Sequence, residues 1–201
     1  SLEGKRGMPK SKPPYPSTSG LHHKPSVTNN VETLSNVPFI IGKGPKWFRK
    51  TGTEGNYGTK IFAVSGQARY PGLIEVPLGM KLHDIVFSIA GGVMEDRKFK
   101  AVHIGGPSGY ILPEDQLDVP ATYDDMKNAG AALGSGGMIL IDEKICLMDL
   151  VKYYMDFMEK QSCGKCIPCR EGTRRMSEIL GSITKKPVDE NGHATLERFK
   201  G

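Results

Sequence analysis

Two β-rich runs, Lys60-Ile61-Phe62-Ala63-Val64-Ser65-Gly66 and Gly72-Leu73-Ile74-Glu75-Val76-Pro77, meet across a turn containing Tyr70-Pro71-Gly72. β-Branched and aromatic residues bounded by Gly and Pro predict the two strands of a hairpin. The period then changes. Leu82, Ile85, Val86, Ile89 and Ala90 recur at three and four residues, which gives a short helix one apolar face, and Gly91-Gly92 stops it. That face is expected to cover the hairpin. Two further extended pieces at 99–104 and 109–112 complete a strand, strand, helix, strand, strand order. A helix on one face of a small mixed sheet is an α+β unit of the β-grasp (ubiquitin-like) kind, assigned to residues 57–115.

Residues 113–136 combine Pro113-Glu114-Asp115 with Gly134-Ser135-Gly136-Gly137 and read as a linker, ending in a strand at 138–142. The linker and strand together occupy 116–145. Helical spacing returns beyond them. Leu147, Val151, Tyr154, Met155 and Met158 form one apolar stripe, and Met176, Ile179, Leu180 and Ile183 form another. The two stripes flank a cysteine loop, so residues 146–201 read as the start of a helical bundle around it, with methionines as adaptable core packing. At the other end, residues 1–35 hold Pro9, Pro13, Pro14, Pro16 and Pro25 among Ser, Asn and Lys. An extended, polyproline-like course along another surface is expected there. Residues 36–56 connect this tail to the sheet, and Trp47-Phe48 beside Lys46, Arg49 and Lys50 fits either a short amphipathic helix or a packed aromatic pair.

Composition narrows the function classes. With 38% hydrophobic and 24% charged residues, 201 residues can bury one core and a second small one. No stretch approaches the roughly 20 apolar residues needed to span a bilayer. The first residues lack the apolar segment of a signal peptide. The expectation is a cytoplasmic protein, or one held at the inner face of a membrane through a complex, without direct insertion. The formal charge of +5 comes largely from Lys5, Arg6, Lys10, Lys12 and Lys24 in the Pro-rich tail. Aromatic residues are not interleaved with them, so nucleic acid is not an expected partner. Because the chain starts at Ser1 rather than Met and stops at Gly201 as a new segment opens, it is expected to be part of a longer protein.

Three of the four cysteines lie within seven residues, in Ser162-Cys163-Gly164-Lys165-Cys166-Ile167-Pro168-Cys169-Arg170. Thiols at i, i+3 and i+6 let one short loop serve three corners of an iron–sulfur cube. Gly164 permits close backbone approach, and Pro168 is expected to keep a regular helix from pointing the thiols apart. Lys165, Arg170, Arg174 and Arg175 would offset the negative charge of a cysteine-ligated cluster, or form a solvated helix face. A structural zinc site is the competing reading, with His193 completing a Cys3His set. Cys146 reads as a small buried hydrophobe, which leaves the fourth cluster ligand expected beyond Gly201. A catalytic thiol is a poor reading, because neighbouring thiols would oxidise one another.

The stretch from Ser162 through Arg170 to Glu171-Gly172-Thr173 closely resembles the cluster-binding signature of the flavoprotein (51 kDa-type) subunit of NADH-quinone oxidoreductase. The same subunit type serves NAD(P)-linked iron-only hydrogenases and NAD-dependent formate dehydrogenases. A second stretch, Lys24-Pro25-Ser26-Val27-Thr28-Asn29-Asn30-Val31-Glu32-Thr33-Leu34, resembles the family's flavin-contacting segment. The resemblance implies that residues 1–35 belong to an FMN-binding domain whose Gly-rich loop is not in this chain. It also implies that residues 57–115 are a soluble-ligand-binding β-grasp domain. Under it, Thr28, Asn29, Asn30 and Thr33 contact FMN, and Cys163, Cys166 and Cys169 ligate a [4Fe-4S] cluster. The parent would pass electrons from NAD(P)H to FMN to the cluster, then to a [2Fe-2S] thioredoxin-like subunit and a large iron–sulfur subunit. The chain by itself would be inactive. Gly105-Gly106-Pro107-Ser108-Gly109 is read as a turn rather than a nucleotide loop, since Pro107 and a following strand contradict a Gly-loop that opens a helix. Other classes stay open: a small-ligand-binding β-grasp module, supported by a pocket near Tyr70 or Tyr110, and a zinc-stabilised interaction domain.

Overall fold

The structure, a computed structural model, describes residues 4–184 and divides into two compact units, Ser1–Lys50 and Thr51–Gly201. In the first unit, helix α1 (Val31–Lys43) begins inside the segment expected to be extended. The reason is local: Asn30 is its N-cap, with Oδ1 accepting the Glu32 N–H at 2.8 Å, and Glu32 places an acid in the first turn. Single turns at Pro16–Ser19 and Leu21–His23 replace more of the extended course. After Gly44 (φ +81°), a single helical turn at Pro45–Phe48 takes the first of the two alternatives left open at Trp47-Phe48, and the Lys43 ammonium lies 4.5 Å from the Trp47 ring centroid.

The second unit is built on five strands: β1 (Thr59–Gly66), β2 (Gly72–Pro77), β3 (Phe99–Ile104), β4 (Tyr110–Pro113) and β5 (Gly137–Asp142). They lie in the order β2-β1-β5-β3-β4. The expected β1–β2 hairpin is present, with Phe62 opposite Ile74. β5 runs parallel to β1, with Ala63 opposite Gly137, and antiparallel to β3, with Ile104 opposite Met138. A parallel neighbour requires a crossover, which the chain makes through everything between β1 and β5. Two hairpins joined by a central parallel strand form the β-grasp arrangement, and the α+β class holds.

Alternation along the strands selects the core. Phe62, Val64, Val76, Val102, Ile104, Leu112, Met138 and Leu140 are buried against Leu82, Ile85, Val86 and Ala90. The latter four belong to the covering helix, which is wound wide over Asp84–Ile89, with Ala90 N–H bonding the Ile85 carbonyl. Residues 113–136 do not form a linker. Leu117, Ala121, Met126 and Leu133 are buried in the same core, and β5 is the middle strand of the sheet rather than a piece beyond it. The segment is tied down by its backbone: Leu82 N–H bonds Val119 O at 3.0 Å and His83 N–H bonds Leu117 O at 2.9 Å. Helix α2 (Tyr123–Asn128) sits within it, capped by Thr122 Oγ1 accepting the Asp125 N–H at 3.0 Å. Its core residues are spaced without a helical or strand period, so the Gly and acidic residues of its turns dominate the sequence pattern.

Two longer helices follow, α3 (Leu147–Gln161) and α4 (Ile167–Thr184). They pack antiparallel, with the Asp156 carboxylate accepting from both Lys152 Nζ and Ser177 Oγ. Two cations fasten the entry into α3: Arg97 bonds the fully buried Asp142 at 2.7 Å, and Lys100 Nζ donates to the carbonyls of Glu143 and Ile145. α3 lies on a sheet face through His103 of β3 and Tyr154, both buried, with ring centroids 4.6 Å apart and Tyr154 Oη 3.2 Å from His103 Nδ1. Removing that hydroxyl leaves a buried nitrogen without its partner. Tyr154→Phe should therefore cost about 1–2 kcal/mol in urea unfolding. Burial also holds the His103 imidazole below its ordinary pKa. As pH falls below about 6.5 the unfolded chain takes up this proton first, so folded-state stability declines with it. The unfolding midpoint should drop between about pH 7 and pH 5. His103→Gln should lose most of that slope, whereas an unchanged slope would assign it to other groups.

Candidate metal centre

The site is the reversal between α3 and α4. α3 stops at Ser162, whose N–H still bonds Met158 O at 2.8 Å while its own backbone turns extended at φ −55°, ψ 134°. Gly164 then takes φ +71°, a conformation that glycine adopts without strain, and its N–H donates to Ser162 Oγ at 3.2 Å. Arg170 closes the turn from the other side: its Nη1 donates to Gly164 O at 2.8 Å, and its backbone N–H bonds Cys166 O at 3.0 Å. Thr173 Oγ1 donates to Cys169 O at 2.8 Å.

This short reversal carries Cys163, half-buried, and Cys166 and Cys169, both exposed; all are free thiols. Pro168 does not block a helix as expected. It lies in the first turn of α4, where its missing N–H has no intrahelical partner to lose. Cys169 consequently sits at the amino end of an 18-residue helix, the end that favours negative charge. Of the neighbouring cations, Arg174 and Arg175 are both engaged by Glu178, whose carboxyl they hold below the usual range, Arg175 foremost. Arg170 is paired with Glu171 at 3.1 Å. Much of the positive charge expected to balance a cluster is thus already offset within α4.

Among the described residues, no group of three His, Cys, Asp or Glu side chains is gathered to hold a metal ion. A zinc ion needs its ligands at one point, and His193, the candidate fourth ligand, lies outside the described residues. A cubane differs, because its thiolates stand apart at separate corners. Three thiols on one turn, at a helix amino end and with a glycine admitting close approach, suit that donor set. Cys146 does not. It precedes α3, and fifteen helical residues at about 1.5 Å each put it roughly 22 Å of helix away from Cys163.

In the first unit, Thr28 and Asn29 line a cleft of about 730 Å³ together with Lys10, Lys12 and Ser26. Asn30 is used as the α1 cap, and Thr33 is exposed in α1 and does not line the cleft. Sequence pattern places Lys10 and Lys12 in an extended, Pro-rich tail along another surface; their nearness to several prolines is the available signal for a cleft. The pattern also gives no reason to single out Ser162, His103 or Arg97. Near Tyr110, the flanking Gly109 and Ile111 join His103, Tyr154 and Met155 around a cavity of about 190 Å³. Neither Tyr110 nor Tyr70 lines it, and its volume is below the roughly 300 Å³ of typical small-molecule sites. Gly105–Gly109 is a turn as read, with Gly109 N–H bonding Gly106 O at 2.7 Å.

Residues 149–200, which contain the whole cysteine reversal, match the NADH-ubiquinone oxidoreductase-F iron-sulfur binding region. Over the full chain, the NADP-reducing hydrogenase subunit HndC of Solidesulfovibrio fructosivorans is 46% identical, across 100% of this chain and 40% of that protein. The second NADH-quinone oxidoreductase F-type subunit of Rhizobium meliloti (strain 1021) is also 46% identical, across 91% of this chain and 44% of its own length. A solved NAD+-reducing [NiFe]-hydrogenase in the air-oxidized state superposes with a TM-score of 0.77 at 38% identity, covering 91% of this chain and 31% of that one. The chain spans less than half the length of these curated relatives. It contains the NADH-ubiquinone oxidoreductase-F iron-sulfur binding region, and along nearly its whole length it is a relative of the F-type subunits of NADH-quinone oxidoreductase and of NAD(P)-linked hydrogenase subunits.

Proposed function

We propose that this chain is the electron-relay part of an NADH-oxidising, flavin-linked subunit, with Cys163, Cys166 and Cys169 as three ligands of a [4Fe-4S] cluster. The observation that carries the reading is the presence of three free thiols on the α3–α4 reversal, inside the matched iron–sulfur region. When bound, such a cluster supplies one-electron transfer. The chain's own part is mechanical and electrostatic. Gly164 and Arg170 fix the turn, the amino end of α4 favours negative charge, and α3 is anchored to the sheet through Tyr154 and His103. Anchoring keeps the distance from the thiols to the rest of the fold constant, and electron-transfer rates depend on that distance.

In the same reading, Thr28 and Asn29 present hydroxyl and amide groups to FMN in the cleft that Lys10 and Lys12 make basic. The first fifty residues hold nine lysines and arginines against two glutamates, which suits an anionic flavin phosphate. The electrons of NAD(P)H would pass by way of FMN and the cluster to a [2Fe-2S] thioredoxin-like subunit and a large iron–sulfur subunit. No helix among the described residues is long and apolar enough to cross a membrane, and any membrane association would come through that assembly on the cytoplasmic side.

Anaerobic reconstitution with iron and sulfide, with an added thiol free to serve as fourth ligand, tests the cluster. The chain should turn brown, with a broad visible band and about four irons bound. Cys166→Ala should lose both and Cys146→Ala should keep both; zinc binding in place of iron would overturn the reading. In the complete protein, Asn29→Ala should weaken FMN retention about tenfold with no change in iron content, measured by fluorescence of released flavin.

A further inference from the structure

Ser162 stands where α3 ends, and its hydroxyl is already committed on one side. Oγ accepts the Gly164 N–H at 3.2 Å and lies 3.5 Å from Cys169 Sγ. With the oxygen engaged by the amide, its hydrogen is the group left to face sulfur. A thiolate bound to iron carries no hydrogen, so in that contact Ser162 is the donor. We propose that Ser162 is a potential-setting residue, donating its O–H to the Cys169 thiolate and raising the reduction potential of the bound cluster. The proposal rests on Cys169 being a cluster ligand.

Reduction adds one electron, and part of that charge resides on the ligating sulfurs. A hydrogen bond to sulfur strengthens as the acceptor becomes more negative, so it stabilises the reduced form more than the oxidised one. The hydroxyl is held in place for this role. Ser162 N–H bonds Met158 O, Gly164 at φ +71° aims its amide back at Oγ, and Arg170 pins Gly164 O. Thr173 provides the contrast within the same turn. Its hydroxyl donates to the carbonyl of Cys169 at 2.8 Å rather than to the sulfur, so it supports the backbone without touching the ligand atom.

The test is a redox titration of the reconstituted chain followed by electron paramagnetic resonance, with Ser162→Ala, Ser162→Thr and Thr173→Val. At the potential where the wild-type cluster is half reduced, the reduced-to-oxidised ratio in Ser162→Ala should be about tenfold lower, a midpoint about 59 mV more negative for a one-electron couple. Ser162→Thr and Thr173→Val should titrate with the wild type. Ser162→Gly, a second variant without the hydroxyl, is titrated in parallel. A wild-type midpoint in either hydroxyl-free variant overturns the proposal. Loss of iron from both overturns it too, by making Ser162 a residue of assembly. A wild-type chain that binds no iron overturns instead the cluster reading beneath it.

Discussion

The reversal at Ser162–Gly164 is the constraint on which the rest of the site depends. α3 and α4 pack side by side along their lengths, with Asp156 bonding Ser177, so the chain must turn back at once when α3 ends. Few residues can do this. Ser162 keeps the last helical hydrogen bond with its amide while leaving helical geometry, and Gly164 takes a positive φ that a β-carbon would oppose. The three thiols are brought onto one turn because the turn is short. Arg170 then holds the turn with a side-chain bond to Gly164 O, so a residue of α4 fixes the loop that precedes it.

The sheet gives this hairpin its footing. β5 runs between β1 and β3, and β3 turns Val102 and Ile104 into the core on one face and meets α3 through His103 on the other. A histidine buried in that position is kept neutral by the same burial that lets it stack on Tyr154. The fold thus joins the β-grasp unit to the helical hairpin through an aromatic contact and through the Arg97–Asp142 and Lys100 bonds where α3 begins. The cysteine turn lies at the far end of α3 from those bonds, which is also why Cys146, at the near end, takes no part in it.

The strands, the covering helix and both long helices are legible in the sequence because each has a period. Phe62 and Val64 alternate with exposed neighbours, and Val151, Tyr154 and Met158 recur on one helical face. The cysteine triplet stands out in the sequence for a different reason: its members recur every three residues, and the structure carries all three on one short reversal. What does not show is set by contacts between distant residues. Leu117, Met126 and Leu133 are core residues, yet they follow no period and lie among glycines and acids, so their segment reads as a linker. Helix α1 is hidden by the prolines before it, although Asn30 followed by Glu32 is a usable start signal. Pro168 reads as a helix breaker, yet a proline shortly ahead of a helical stripe also fits a helix's first turn. The roles of Ser162 and Arg170 cannot be found from sequence, since each acts through an atom that only the folded turn brings near.

The iron–sulfur cube proposed for the α3–α4 reversal differs from a single bound ion in the atoms that surround each metal. X-ray absorption at the iron and zinc edges of the anaerobically reconstituted chain addresses that difference most directly, because it counts neighbours around the metal itself. The proposed cube gives iron with a sulfur shell and a second shell of iron at short range, and no bound zinc. A zinc edge with sulfur and nitrogen neighbours, or iron without iron neighbours, would contradict it.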